Sequence, residues 1–370
     1  MKDQKQKPMS PKSFLISFFA LSLALLLLMG AAVYLLDPFA YYRYEEGQLI
    51  VNNYRFVNPG IAKNVDYDAV VVGSSMTQNF DLPLMREKLG VDPVKLTVGG
   101  MSVEGMELTL DLVKREGKAK TVFVCLDLPT FNKEKDDLST YATYLYDEDA
   151  LNDVKYLCGY ETWMRLLPLN LGFRALDAAG KKIPNSQATR DLDTIGEWHS
   201  SATYSAENLK KTYYKTLEDL EEETESEQEI LARMKKNADK TLALFAEETE
   251  LEFVLFFPPY SQLFWNGATL TDHLSPYLAA KEYVAARVAE YDHLTLYDFQ
   301  SMAESADLDN YKDYTHYSKD LNDRMVECFA TGDFLVDEVT IRDANAALVA
   351  RLEEFQEENA SWLKNPGSST

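Results

Sequence analysis

Cysteine is scarce in this 370-residue chain, and Cys125, Cys158 and Cys328 can close at most one bridge, which excludes a disulfide framework. Histidine is nearly as rare. The four residues His199, His273, His293 and His316 show no metal-ligand spacing with one another or with the cysteines, so neither a structural zinc site nor any other metal or cofactor is expected. Basic charge is also short: 37 Lys and Arg face 60 Asp and Glu, a net charge of −23, which argues against a general nucleic-acid binder that must neutralise phosphates. Apolar residues are not lacking. At 46% hydrophobic and 12% aromatic, the chain can bury a full core and is not a disordered polyanion. Its length suits one large domain or two modest ones.

Charge is missing altogether from Phe14 to Leu36, a run of 23 residues long enough to cross a hydrocarbon core of about 30 Å with some tilt. A cleaved signal peptide would have a shorter apolar region, of roughly 7 to 15 residues, followed by a small-x-small site. The run therefore reads as an uncleaved anchor. Lys2, Lys5, Lys7 and Lys12 precede it, and only Arg43 against Asp37, Glu45 and Glu46 comes soon after, so the positive-inside rule places residues 1–13 in the cytoplasm and an acidic ectodomain outside.

Past a juxtamembrane stretch, 37–66, short β-rich runs alternate with helical patterns. Strands are expected at Ala69–Val72, Lys95–Val98, Thr121–Asp127, Phe253–Phe257 and Leu294–Tyr297. Helices are expected from Leu84, across Met106–Val113, over Tyr277–Ala289 and over Ser318–Phe329. This alternation predicts an α/β fold with a parallel sheet covered on both faces. The main domain would span 67–345, interrupted at about 133–250 by an insertion or elaborated lid that ends in a helix, with a C-terminal helix and tail at 346–370. Eight of the twelve residues from Glu218 to Glu229 are acidic, but they lack the alternating ligands and turn glycine of a hard-metal loop, so a solvated helix start or loop is expected.

Ligands of open parallel sheets sit beyond the carboxyl ends of the strands, so the residues just past each strand are the candidates for chemistry. Gly73-Ser74-Ser75 stands past the first strand, Gly99-Gly100 past the second and Pro258-Pro259-Tyr260 past the fourth. Tyr311-Lys312-Asp313-Tyr314-Thr315-His316 stands past the last. Alone, the first of these is an N-cap turn and Asp313/His316 a helix-capping pair. Together they fit a different purpose: a serine hydroxyl needs a base to take its proton, and an imidazole three residues after a carboxylate can be held on one nitrogen while the other faces the nucleophile.

On these blocks the chain resembles the SGNH, or GDSL-type, hydrolase superfamily from about Tyr67 to Phe329, in particular its membrane-anchored, DltD-like and alginate-acetylation-like members. The resemblance implies a flavodoxin-like three-layer sandwich with Ser75 as nucleophile and Asp313 and His316 completing the triad. It also implies an oxyanion hole from the backbone N–H groups of Ser75 and Gly100. Two departures stand out. Ser74 replaces the usual aspartate, and Leu126-Asp127-Leu128-Pro129 stands where a Gly-x-Asn-Asp block should come after the third strand, with Asn79 and Asn132 as the candidates to replace its asparagine.

Two function classes are compatible with these residues. One is a serine esterase or O-acyltransferase that passes a short acyl group, acetyl first of all, between an acyl-serine and an envelope glycan hydroxyl or water. In it Pro258, Tyr260 and Trp265 would form a sugar-stacking wall, and no large lipid pocket is evident. The other is a degenerate member that binds envelope polymer or partners a membrane acyltransferase without turnover.

Overall fold

The computed structural model describes residues 10–134, 138–218 and 225–363. Its centre is a six-stranded sheet built from β1 (Ala69–Gly73), β2 (Pro93–Thr97), β3 (Thr121–Cys125), β4 (Glu252–Phe257), β5 (Leu294–Asp298) and β6 (Leu335–Val336), in the order β2-β1-β3-β4-β5-β6. The first five run parallel, in a register that brings Gly73 beside Thr97 and Cys125 beside Phe256. Every residue of β1 and β2 is buried, as expected where both faces are covered and the valine-rich strands need no alternation. The sheet is mixed rather than wholly parallel, because β6 pairs antiparallel with β5. Two residues carry too little periodicity to announce that strand.

The helices begin and end where local chemistry dictates. In α3 (Leu82–Leu89) the Asp81 carboxylate accepts from Leu84 N at 2.8 Å, and the helix stops at Gly90 with φ +69°. In α4 (Val103–Glu116) the Ser102 hydroxyl accepts from Gly105 N, and the stop is Gly117. The C-terminal helix begins at Thr340 and buries Ile341, Leu348 and Leu352 against the body. The juxtamembrane stretch is no separate segment either: α2 (Tyr54–Asn64) precedes α3, buries Phe56, Val57 and Ile61, and packs on β2 and α4.

The stretch 133–250 ends in a long helix. Helix α5 (Glu227–Ala246) buries Ile230, Met234, Ala238, Leu242 and Phe245 on one face against α4 and α7 (Leu274–Val288), so it is the crossover helix that returns the chain from β3 to β4. Its start is a capping box in which Ser226 and Glu229 satisfy each other's backbone, which agrees with a solvated helix start; the acidic residues 219–224 lie outside the described residues. Ahead of it, Ala188–Thr189 pairs antiparallel with Ile50–Val51, tying the insertion to the segment that precedes α2. Helix α1 (Pro11–Leu36) is long and apolar enough to cross a membrane and its 18-residue apolar window is not buried.

Candidate active site

The strand order reverses between β1 and β3, and the candidate site sits at the carboxyl ends of those strands. Gly73 closes β1 because nothing larger fits: a Cβ there would stand 2.7 Å from Cys125 Cβ and 2.8 Å from Thr77 Cγ2. The chain then turns into a single 3₁₀ turn, Ser75–Thr77. The hydroxyl of Ser74 caps this turn at Met76 N and donates to the Asp127 carboxylate at the end of β3, 3.1 Å away. Ser74 is buried, and Ser75 emerges one residue later.

Ser75 Oγ lies 2.7 Å from His316 Nε2, and His316 Nδ1 lies 2.9 Å from both oxygens of Asp313. A carboxylate only accepts, so Nδ1 carries the proton and Nε2 is left to accept from the serine. The Asp313 carboxylate also takes the backbone N–H of His316 at 2.9 Å and of Thr315 at 3.1 Å. Burial pushes this carboxyl up, but the hydrogen bond and charge of His316 and these two backbone donors outweigh it and hold the group at about 2.

The loop carrying Asp313 and His316 is fixed from below. Tyr311 and Tyr317 face each other in a β-bridge and are fully buried, with hydroxyls donating to Pro259 O and Met76 O at 2.9 Å each. Lys312 N bonds His316 O, and the Ser261 hydroxyl donates to Tyr314 O at 2.7 Å. The tyrosines of this stretch are therefore structural at both ends.

A cavity of about 420 Å³ opens beside the serine, lined by Ser75, Asn132, Leu263, Phe264, Tyr277 and His316 among others. Its wall is mostly apolar. The expected stacking wall is corrected. Pro258 is buried and Tyr260 and Trp265 are wholly so, and the Tyr260 hydroxyl donates to Asp127, so neither ring offers a face to a sugar. Burial pushes the Asp127 carboxyl up against the opposing pull of the Tyr260 and Ser74 hydroxyls. These aromatic residues are legible as a cluster, but in the core rather than at a rim.

Gly100 is exposed with φ +67° in the turn after β2, and it is not among the residues that line the cavity. Asn132 is. Its amide oxygen accepts from Arg233 Nη2 at 2.9 Å, which turns the NH₂ end the other way. Asn79 is not among the residues that line the cavity: it is buried, its NH₂ has no hydrogen-bond partner among the described residues, and its oxygen takes the backbone N–H of Trp198 at 3.0 Å and of His199 at 3.2 Å.

That contact belongs to a part of the site that motif reasoning missed. Trp198, from the insertion, donates from Nε1 to Ser75 O at 3.2 Å and sets its ring edge-on to His316, with centroids 5.4 Å apart. Beneath it Lys95 is buried, 3.5 Å from Glu197 and 3.1 Å from Gln78 O. Burial, against the pull of Glu197, brings the Lys95 ammonium down to about 8. The only sequence signal was a tryptophan beside a histidine. His273, at the N-cap position of the helix Leu274–Val288, is buried and lines the cavity, with Nδ1 on Thr271 O at 2.7 Å. Among the described residues no cluster of His, Cys, Asp or Glu could hold a metal ion.

No family model and no curated protein matches the chain.

Proposed function

We propose that the protein is a membrane-anchored serine esterase or O-acyltransferase of the SGNH type, acting outside the cell on acyl esters of envelope glycans. The Ser75–His316–Asp313 relay carries this reading, since three residues from two distant blocks meet at hydrogen-bonding distance in the order acyl transfer requires. In the first half-reaction His316 Nε2 takes the Ser75 proton as Oγ bonds to the ester carbonyl carbon, and the alcohol leaves with that proton as the tetrahedral adduct collapses to an acyl-serine. In the second, His316 deprotonates water or a sugar hydroxyl, which attacks the acyl carbon and releases Ser75. Asp313 stays ionised throughout and stabilises the imidazolium.

Oxyanion stabilisation falls to the Ser75 N–H, which opens a helical turn and has no intrahelical acceptor, and to the Asn132 amide in place of the Gly100 N–H. Asn132 lies past the same strand as the missing block, four residues beyond Leu128. The acyl group would enter the cavity bounded by Leu263, Phe264 and Tyr277. Cavities of this size hold ligands well beyond two carbons, so acetyl is accepted along with somewhat longer short-chain acyl groups. The glycan assignment rests on the anchor, with the N-terminal lysines in the cytoplasm, because an ectodomain tethered outside meets envelope polymers and not cytosolic metabolites.

A series of p-nitrophenyl esters tests this directly. Acetate, butyrate and hexanoate should be hydrolysed by the native protein and not by Ser75→Ala, with turnover falling by decanoate. A preference for decanoate, or native and Ser75→Ala rates that agree, would overturn the assignment.

A further inference from the structure

The amphipathic pattern of one helix in the insertion is reversed. In Leu167–Ala178 the outward positions are Pro168, Leu169, Leu171, Gly172, Ala175, Leu176 and Ala178, none of them polar. Its polar side chains turn inward or lie partly covered. Asn170 Nδ2 donates to Pro38 O, Arg174 bonds the Asn170 amide oxygen at 2.8 Å, and Arg174 Nη2 reaches Leu36 O, the last carbonyl of α1. A helix facing water has the opposite arrangement. Polar groups directed inward and apolar groups outward are the arrangement of a surface solvated by hydrocarbon.

Apolar side chains are also exposed in the preceding turns, where Val154, Tyr160 and Met164 are 56%, 80% and 63% exposed, alongside exposed Lys155 and Arg165, the latter paired with Glu161 at 2.8 Å. This patch is continuous with the membrane helix. Gly30 of α1 leaves room for Leu157 and Cys158, each of which would lie 3.7 Å from a Cβ at that position, and the Cys158 thiol donates to Leu26 O at 3.4 Å. Leu26 lies ten residues before the end of α1 at Leu36, a rise of about 15 Å along the helix. If Phe14–Leu36 spans the hydrocarbon core, a segment docked beside Leu26 and Gly30 is below the outer surface of the bilayer. At its far end Lys181 and Lys182 are exposed, at the level where ammonium groups meet lipid phosphates.

We propose that residues 151–182 form a second membrane contact, embedded in the outer leaflet with the Leu169–Leu171–Leu176 face against acyl chains. The ectodomain is then seated on the bilayer at a fixed height and orientation and does not swing on a tether. Arg43, whose Nη2 bonds the Tyr34 and Leu35 carbonyls at 2.9 and 2.6 Å, stiffens the same junction. The proposal rests on α1 being a membrane span and is independent of the serine chemistry.

Nitroxide probes on the full-length protein in phosphatidylcholine/phosphatidylglycerol vesicles test it. They would be placed singly at Leu169→Cys, Leu171→Cys and Leu176→Cys in a Cys158→Ala background, with Leu27→Cys in α1 and Leu335→Cys on β6 as references. The three test positions should match Leu27→Cys, open to oxygen and shielded from a water-soluble nickel chelate, and Leu335→Cys should show the reverse. Nickel access at the test positions with Leu27→Cys still shielded would overturn the proposal and leave the anchor standing. Shielding from both agents with dipolar broadening between molecules would mean that a second copy covers the face, and this also overturns it. Nickel access at Leu27→Cys would remove the anchor and the proposal together, while ester hydrolysis by the same preparation reports separately on the serine.

Discussion

At the scale of single residues, the consequences of the relay are sharp. Ser75→Ala and His316→Ala should each lower kcat/KM for a simple ester by at least roughly 10³-fold, and the double variant should be little worse than either, because triad members act as a unit. Steady-state rates on the three variants check this. Ser74→Ala removes the cap on the nucleophile turn and one hydroxyl from Asp127, so it should cost about 1 kcal/mol of stability and leave most of the activity. Asp313 makes a pH prediction. Its carboxyl is held at about 2 in the folded protein against an ordinary value near 4, so the stability it contributes is complete above pH ~4 and is lost as the pH falls towards 2. Chemical denaturation across that window should show a loss of stability that Asp313→Asn lacks. Ser75 was legible because it stands just past a strand end, and Asp313 and His316 because of their three-residue spacing, although three 3₁₀ turns lie between the end of β5 and Asp313. Trp198 and Asn79 were not, because their role exists only once residues 119 and 123 positions apart meet in space.

At the scale of elements, the loop 195–199 is the part of the insertion that reaches the chemistry. It is held by Asn79 and by the buried Lys95–Glu197 pair, and its tryptophan braces both the Ser75 carbonyl and the His316 ring. Trp198→Ala should therefore reduce kcat roughly 10- to 100-fold with little change in KM, as expected of a misplaced base, and Trp198→Phe should recover only part of it because the Nε1 donor is gone. Pre-steady-state and steady-state kinetics on the pair would separate this from a simple loss of stability. Tyr260→Phe leaves one oxygen of the buried Asp127 without its donor and should destabilise by about 1–3 kcal/mol, measured by urea unfolding. The five parallel strands could be read from their short apolar runs with β-branched or aromatic residues, each bounded by a turn or a helix. A helix at the end of the insertion could be expected from the sequence, but its place as the crossover from β3 to β4 could not, because that depends on how its apolar stripe packs against α4. The aromatic rim failed for a related reason: a Pro-Pro-Tyr run after a strand has the same composition whether it faces a cleft or the core, and only packing against Phe264, Trp265 and Tyr277 decides it.

At the scale of the whole molecule, an acidic α/β body is joined to a membrane-length apolar helix by a stiff junction, and a relay of serine, histidine and aspartate opens onto an apolar cavity. The uncharged run indicated the membrane-length helix, and the alternation of strand and helix patterns the α/β body. The docking of the insertion against that helix was not legible, because exposed leucines on a helix read as core positions until the structure shows them facing outward. Protease added outside intact cells should degrade the chain from Asp37 onward and spare the N-terminal segment, and recovery of a soluble form starting near Asp37 would remove the anchor. The central claim, that Ser75 is an activated nucleophile, is tested most directly by treating the full-length protein in detergent with a fluorophosphonate and locating the adduct by peptide mass. The account predicts a single adduct on Ser75, formed far more slowly in His316→Ala and absent in Ser75→Ala. An unlabelled native protein, or an adduct on Ser74 or elsewhere, would contradict it.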